Sequence, residues 1–328
     1  MRETATRSPD ALDLSRPRRV HLTNVGGAGM SAVATLLAEG GHRVSGHEPA
    51  ATTPFLDQLA ALGVAVTTGP ERPPLPEDLD AVVVSTATPD DDPDVVAARE
   101  RGVPVLHRAA ALGALCAGRT TIAVAGTHGK TTTAALLSTV LAGAGRDPGW
   151  VVGARVVGLG RSAAWGGEGP LVVEADESDA TFLHLGARSA VVTNVEPDHL
   201  DNWGGEDRLR DGFHRFVAAL PGPAVLCADD PGARDLASSA ARPVTYGRDA
   251  GADYRVVDPR PAGTGVRFEL EHGGERVAVE VPAAPGVHNA LDAAAALAVA
   301  HVHGVPLGEG AAALRTFAGV ARRFEVRG

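Results

Sequence analysis

The sequence predicts an α/β fold: two parallel sheets in series along the chain, the second extended by a small antiparallel sheet. Three observations lead there. At 328 residues the chain exceeds the size at which one hydrophobic core usually stops growing, so two domains are expected. Short apolar runs alternate with segments of helical spacing, the signature of βαβ units. Each half also opens with the same device, an apolar run that enters a glycine turn and leaves as a helix. Composition agrees, because 4% aromatics against 40 Gly and 23 Pro indicate tight turns and an aliphatic core.

In the first half, residues 20–25 read as a strand running into Gly26-Gly27-Ala28-Gly29, and 31–39 as a helix stopped at Gly40-Gly41. Strands are expected at 42–46, 64–67 and 104–106, with helices at 55–62 and 95–101. The run Ala-Val-Val-Val-Ser at 81–85 has the continuous apolar character of a parallel strand covered on both faces. This domain is expected to span 19–118, after a polar tail at 1–18 that resembles neither a signal peptide nor an anchor and reads as disordered.

The second domain is expected over 119–328. Residues 121–125 form a strand, the turn Gly126-Thr127-His128-Gly129-Lys130 follows, and a helix continues to Leu141. Residues 171–174 and 190–194 read as buried strands that end in acidic or polar residues. A helix over 206–220 and a strand over 224–227 come next. Residues 252–281 suggest antiparallel hairpins broken at Gly263-Thr264-Gly265 and Gly273-Gly274. An alanine-rich helix is expected over 289–303.

Charge and cysteine content remove several function classes. A net charge of −10 offers no basic field for nucleic acid or an anionic membrane, so anionic ligands must be held by loops, helix ends and metal ions. Two cysteines are too few for a disulfide framework or a cysteine metal site, so structural roles are expected for Cys116 and Cys227. No stretch approaches the ~20 apolar residues of a membrane span, and a cytoplasmic location is expected. Oligomeric state is left open.

The loop Gly126-Thr127-His128-Gly129-Lys130-Thr131-Thr132 carries the strongest chemical signal. Its glycines let backbone N–H groups converge on phosphate oxygens, and the following helix adds positive partial charge. Lys130 would reach β- and γ-phosphates, an attraction of about 4 kcal/mol before desolvation, and Thr131 is placed to hold Mg²⁺. Val124 stands where the general phosphate-loop pattern has glycine. Two acidic segments end neighbouring strands: Glu174-Ala175-Asp176-Glu177-Ser178-Asp179, and Asn194-Val195-Glu196-Pro197-Asp198-His199-Leu200-Asp201. Open parallel sheets bind ligands at strand carboxyl ends, so carboxylates there suit hard cations. Either segment alone is more often a solvated acidic loop than a metal site, and the neighbouring phosphate loop reverses that order.

Taken together with Pro285-Gly286-Val287-His288-Asn289, these motifs resemble those of the Mur ligases in order and spacing. Gly-Gly-Ala-Gly-Met at 26–30 and Glu-Ser-Asp at 177–179 look closest to the L-alanine-adding member. The resemblance implies a Rossmann-like domain for a UDP-linked substrate and a P-loop-type ATP-binding domain. It also implies a third, amino-acid-binding domain, which is expected to be missing here. The implied reaction uses ATP and Mg²⁺ to join L-alanine to the lactyl carboxylate of UDP-N-acetylmuramate through an acyl phosphate.

Carried over by position, Lys130, Glu174 and His199 are the implied catalytic residues. Gly126 to Thr132, Asn289 and Arg323 would contact ATP, and Thr131, Glu174 and His199 would hold magnesium. Gly26, Gly27, Ala28, Gly29, Met30, Glu48, Ser85 and Thr86 would contact the UDP-substrate. On the residues alone, Asn289 could equally be a helix N-cap and Arg323 a solvated surface charge. Departures from the family pattern are Asn24 for a glycine, His47-Glu48 for Ser-Asp, Val287 for Arg and Asp292 for Asn. Asn24, Glu48 and Asp292 motivate a second reading, a ligase acting on another UDP-sugar or natural-product acid, and the expected lack of a third domain motivates another, a nucleotide-binding protein without turnover. A dehydrogenase would leave the second phosphate loop unexplained. The isolated His21 and His107, and the pair His301 and His303, show no metal-ligand spacing and suggest surface or packing roles.

Overall fold

The computed structural model describes residues 12–178 and 180–321. They divide into two compact units, one reaching Arg119 and including Ala163–Trp165, the other holding Thr120–Ser162 and the chain from Gly166 onward.

The first unit contains β1 (Arg19–Thr23), α1 (Ala28–Glu39), β2 (Arg43–Glu48), α2 (Leu56–Ala61), β3 (Ala65–Thr68), β4 (Ala81–Val84), α3 (Pro93–Glu100), β5 (Val105–His107) and α4 (Arg108–Ala117). Its sheet is parallel throughout, in the order β3-β2-β1-β4-β5. The chain moves outward from β1 to β3 and then returns to the other side of β1. The switch in direction therefore lies between β1 and β4, where open α/β sheets form their ligand crevice.

Three details differ from expectation. The first strand ends at Thr23, because Asn24 takes a left-handed φ of 49°, a conformation Asn accepts more readily than most residues. Helix α1 then starts at Ala28, three residues earlier than its apolar spacing suggests, which shortens the glycine turn. Helix α4 was not anticipated at all. Its N-cap is His107, whose ring accepts from the Ala109 N–H, so the usual Ser, Thr, Asp or Asn start signal is missing.

The second unit runs β6 (Thr121–Ala125), α5 (Lys130–Gly143), β7 (Gly149–Val151), β9 (Leu171–Glu174), β10 (Ser189–Val192), α6 (Leu200–Trp203), α7 (Glu206–Ala218), β11 (Ala224–Cys227), α8 (Pro231–Asp235), β12 (Pro243–Gly247), β13 (Tyr254–Ala262), β14 (Gly265–His272), β15 (Glu275–Val281), α9 (Val287–Val302) and α10 (Leu307–Leu314). The pair Ala163–Ala164 (β8) belongs to the segment grouped with the first unit. Strands run in the order β15-β14-β13-β12-β11-β10-β6-β9-β7. They are parallel from β7 to β13, and β13, β14 and β15 pair antiparallel.

Strands β6, β10 and β11 are buried along their whole length, which explains why, apart from the terminal Thr121, Ser189 and Cys227, they consist of Val, Ile, Leu and Ala. Helix α9 packs on α5 and on strands β10 to β14, and its residues Ala293 to Ala300 are all buried. Alanine suits a helix pressed between neighbours on several sides.

The hairpin turns fall at Gly263-Thr264 and Gly273-Gly274, as expected. The elements missed were β7, β12, α6, α8 and α10. Helix α10 carries two glycines in eight residues and is held by packing on α5, α9 and β15. Both cysteines are buried, and neither is in a disulfide. No helix among the described residues is long and apolar enough to cross a membrane.

Candidate functional site

Buried strand β6 delivers the chain into a loop that only glycine can build at two points. Gly126 has φ 128° and Gly129 φ 82°. A Cβ at Gly126 would lie 2.1 Å from Thr193 Oγ1, and one at Gly129 2.6 Å from Asp292 Oδ1. The loop is laced to the exit of β10. Thr127 N–H donates to the Asn194 carbonyl (3.2 Å), and His128 N–H to Asn194 Oδ1 (2.8 Å). Asn194 Nδ2 and Thr193 Oγ1 donate back to the His128 carbonyl, and Glu196 N–H donates to Thr127 Oγ1 at 2.9 Å. The loop is therefore held in shape by its own protein partners. It borders a cavity lined by Thr127, His128, Gly129, Lys130, Thr131 and Glu174, with Thr132 next in the first turn of α5.

Two carboxylates meet this loop. Thr131 Oγ1 donates to Glu174 Oε1 at 2.8 Å, and Glu174 Oε2 accepts from Gly153 N–H at 2.5 Å. Lys130 Nζ donates to the Gly126 carbonyl at 2.6 Å and the Thr127 carbonyl at 3.2 Å, and pairs with Glu177 at 2.7 and 3.0 Å from its two oxygens. The Glu177 side chain is 2% exposed. Burial pushes its carboxyl above the usual range even against the pull of Lys130.

The turn that carries Glu177 is tied down from α6. Trp203 Nε1 donates to the Glu177 carbonyl and Asn202 Nδ2 to the Ser178 carbonyl, both at 2.9 Å. Phe182, at the end of the same turn, packs on Trp203, Phe213 and Phe216 with ring centres 5.0 to 6.0 Å away. Sequence reading left Glu177 out of the candidate site residues. Its signal was present, as the fourth residue of the first acidic segment, but linear order alone could not show which of those carboxylates faces the lysine.

The other expected residues of this unit are placed differently. His199 takes a left-handed φ of 52° before α6, is about half exposed, and has Nε2 3.7 Å from Asp198 Oδ2. It does not line the cavity. Asn289 is not a helix N-cap, which corrects one of its two readings. Gly286, at φ 96°, caps α9 without a side-chain bond. Asn289 lies in the first turn, 2% exposed, and donates through Nδ2 to the Pro285 carbonyl at 2.5 Å. Asp292, one turn on, is buried against the phosphate loop at Gly129. Arg323 and Asp179 lie outside the described residues.

In the first unit, the candidate residues gather at the carboxyl ends of β1, β2 and β4. Glu48 closes β2, and its carboxylate accepts from Gly26 N–H at 2.8 Å and Ala50 N–H at 3.0 Å. A Cβ at Gly26 would meet Glu48 and Thr53 at 2.7 Å, and one at Gly29 would meet Arg108 Nη1 at 2.1 Å. Gly27 caps α1, so Ala28, Gly29 and Met30 form its first turn. Ser85 N–H donates to Thr88 Oγ1 at 3.2 Å. Thr86 Oγ1 lies 3.0 Å from His107 Nε2. Because His107 Nδ1 accepts from Ala109 N–H, Nε2 carries the ring proton and donates it to Thr86.

This arrangement has known counterparts. Residues 19–120 match a family profile described as Mur ligase family, catalytic domain, and residues 124–300 one described as Mur ligase middle domain. The chain belongs to the Mur ligase family. It is 45% identical over 316 residues to a UDP-N-acetylmuramate–L-alanine ligase of Halorhodospira halophila, covering 95% of this chain and 64% of that protein. The chain thus spans just under two thirds of that relative's length.

Among solved structures it resembles the UDP-N-acetylmuramate-alanine ligase of Thermotoga maritima, with a TM-score of 0.82, 29% identity, and coverage of 93% of this chain and 70% of that one. A ligase from Neisseria meningitides that joins UDP-N-acetylmuramate to L-alanyl-γ-D-glutamyl-meso-diaminopimelate gives the same TM-score at 28% identity, covering 94% of this chain and all of the other. As a Mur ligase, the chain brings Lys130, Thr131 and Glu174 together around the loop and leaves His199 apart. Among the described residues no three His, Cys, Asp or Glu side chains form a group that could hold a metal ion.

Proposed function

We propose that the protein is an ATP-dependent ligase of peptidoglycan precursor synthesis that joins L-alanine to the carboxylate of UDP-N-acetylmuramate. One observation supports this above the rest: a cavity in which a strand–glycine–helix loop, Lys130, and the Thr131–Glu174 oxygen pair face the same space. The reaction must bring two anions together and stabilise charge on the phosphoryl group as it moves to the carboxylate. Amines then attack the acyl phosphate, and phosphate leaves. Little covalent work falls to the protein, so backbone donors, an ammonium and oriented oxygens are the parts required.

The residues present suit a magnesium ion. Thr131 Oγ1 and Glu174 Oε1 are hard oxygen donors already side by side at 2.8 Å. Mg²⁺ in nucleotide sites commonly takes one or two protein oxygens and completes its shell from phosphates and water, so a three-ligand protein cage is not required. When bound, the ion would supply charge neutralisation between the phosphates and the carboxylate. Lys130 would hold the β- and γ-phosphate oxygens, and the amides of Gly129 and Lys130 would orient them. In the first unit, the switch point around Gly26 to Met30, Ser85 and Thr86 is the proposed seat of the UDP moiety.

The reading of L-alanine as the amine rests on the 45% identical relative. A ligase acting on a different UDP-sugar or acid is favoured by one observation, the Glu48 carboxylate bonded to Gly26 N–H, since that amide belongs to the turn proposed to receive an anionic pyrophosphate. Separate calorimetric titrations with ATP·Mg²⁺, UDP-N-acetylmuramate and NADH decide. Binding of the first two and not the third is expected. Binding of NADH, or failure of ATP·Mg²⁺ to bind, would overturn the proposal, and ATP binding without UDP-N-acetylmuramate would favour the second reading.

A further inference from the structure

The ammonium of Lys130 has three protons, and the structure gives all of them partners: the Gly126 carbonyl, the Thr127 carbonyl and the Glu177 carboxylate. Lysine in a phosphate loop is useful only while it can offer a proton to a phosphate oxygen. Glu177 does not line the cavity, yet its carboxylate grips the ammonium with both oxygens within 3.0 Å. Its side chain is 2% exposed and that of Lys130 14%, so solvent screening weakens this pair little. The grip is also anchored. Trp203 and Asn202 hold the backbone of Glu177 and Ser178, and Phe182 is packed into an aromatic cluster of α6 and α7. The backbone that carries Glu177 is therefore held in place when the lysine moves.

We propose that Glu177 is a positioning residue that holds Lys130 before nucleotide binds, and that a triphosphate binds by taking the ammonium from Glu177. The inference rests on the reading of residues 126–132 as the ATP site. Glu177 competes with phosphate for one cation, so nucleotide affinity is set below what the loop alone would give. Competition also has a use. A buried, unpaired lysine beside a ring of loop amides would attract any small anion, and the carboxylate balances that charge until a ligand with several phosphate charges arrives. Exchange further ties nucleotide entry to the short segment between Glu177 and Glu174, which also supplies Glu174 to the Thr131 pair.

The test is a double-variant cycle on the full chain, with ATP·Mg²⁺ binding read by calorimetry. Glu177→Gln keeps the shape and removes the charge, and it should tighten binding about tenfold, the scale of one buried ionic contact. Lys130→Ala should weaken binding ten- to a hundredfold. In the Lys130→Ala background, Glu177→Gln should lose most of its effect, because the carboxylate acts through the lysine. A damaged fold can lower affinity but cannot raise it, so the gain itself separates positioning from a structural role. If Glu177→Gln does not fold, Glu177→Asp shortens the grip by one methylene and should give a smaller gain. Unchanged or weaker ATP binding in the folded Glu177 variants would overturn the inference, as would a gain of equal size without Lys130. Failure of the wild-type chain to bind ATP·Mg²⁺ would instead sink the underlying site assignment.

Discussion

Lys130 and Gly29 carry the residue-scale consequences, and they concern different ligands. Lys130 is the cation that lines the phosphate-loop cavity, and a charge-assisted hydrogen bond to phosphate contributes about 1.5–3 kcal/mol. Lys130→Ala is therefore expected to weaken ATP·Mg²⁺ by roughly ten- to a hundredfold while leaving UDP-N-acetylmuramate affinity unchanged. Calorimetry with each ligand in turn checks both halves, and equal ATP affinity in variant and wild type would remove the loop assignment. Gly29 gives the reciprocal case. A Cβ there would run into the Arg108 guanidinium at 2.1 Å, so Gly29→Val must displace that arginine and fill the first turn of α1. UDP-N-acetylmuramate binding is expected to fall at least tenfold, with ATP·Mg²⁺ affinity kept. Loss of both would point to a general folding defect rather than to a substrate contact.

Among the elements of the first unit, α3 is fastened to its sheet by charge. Asp92 caps the helix by accepting the Asp94 N–H, Pro93 follows at the first helical position, and Arg72 bonds Asp92 at 2.8 Å and Asp94 at 3.0 Å. Asp94 also faces His21 Nε2 at 3.6 Å, while His21 Nδ1 meets Ser45 Oγ at 2.9 Å. Burial pushes the Asp94 carboxyl up, but the nearby His21 ring and the hydrogen-bonded Arg72 guanidinium together hold it below its ordinary value of 3.8. A depressed carboxylate stabilises the fold above the unfolded-state value and loses that contribution as pH falls through the folded one. Stability of the full chain should thus decline from about pH 4 downward. Asp94→Asn is expected to lower stability by about 3 kcal/mol at pH 7 and to flatten the acid limb. Urea unfolding at pH 7 and pH 3, followed by circular dichroism, measures both, and an acid limb as steep in Asp94→Asn as in wild type would assign it to other groups.

For the whole molecule, the chain spans 64% of the length of its Halorhodospira relative. The Mur ligase resemblance puts most of the amino-acid site in a third domain, which also closes over ATP and excludes water. Well-oriented reactants can supply about 7–11 kcal/mol of barrier reduction, and a closed site protects a reactive acyl phosphate from hydrolysis. A polypeptide of these 328 residues is therefore expected to bind ATP·Mg²⁺ and UDP-N-acetylmuramate, to release phosphate slowly at most, and to form no alanine-dependent product. Mass spectrometry of a reaction with both substrates and L-alanine reads this directly. Product at about 1 per second or faster would mean that the two units suffice.

What local residue order determines, the sequence displayed without help. Strands β6, β9 and β11 stand where continuous apolar runs placed them, because a strand buried on both faces has no polar position to blur its limits. The phosphate loop was equally plain, since only glycines at 126 and 129 satisfy positive φ with neighbours this close. Helix α10, with its glycines, and α4, with its histidine cap, were hidden because packing and an unusual cap stabilise them rather than intrinsic propensity. The site divides the same way. Lys130, Thr131 and Glu174 could be named from motif order. Tertiary structure alone decided that Lys130 is held by Glu177 rather than left free, that Glu48 turns back to Gly26, and that Asp292 lies under Gly129. Each of these is a meeting of residues 22 to 163 positions apart in the chain, and such meetings are set by how strands and helices stack, which no local pattern encodes.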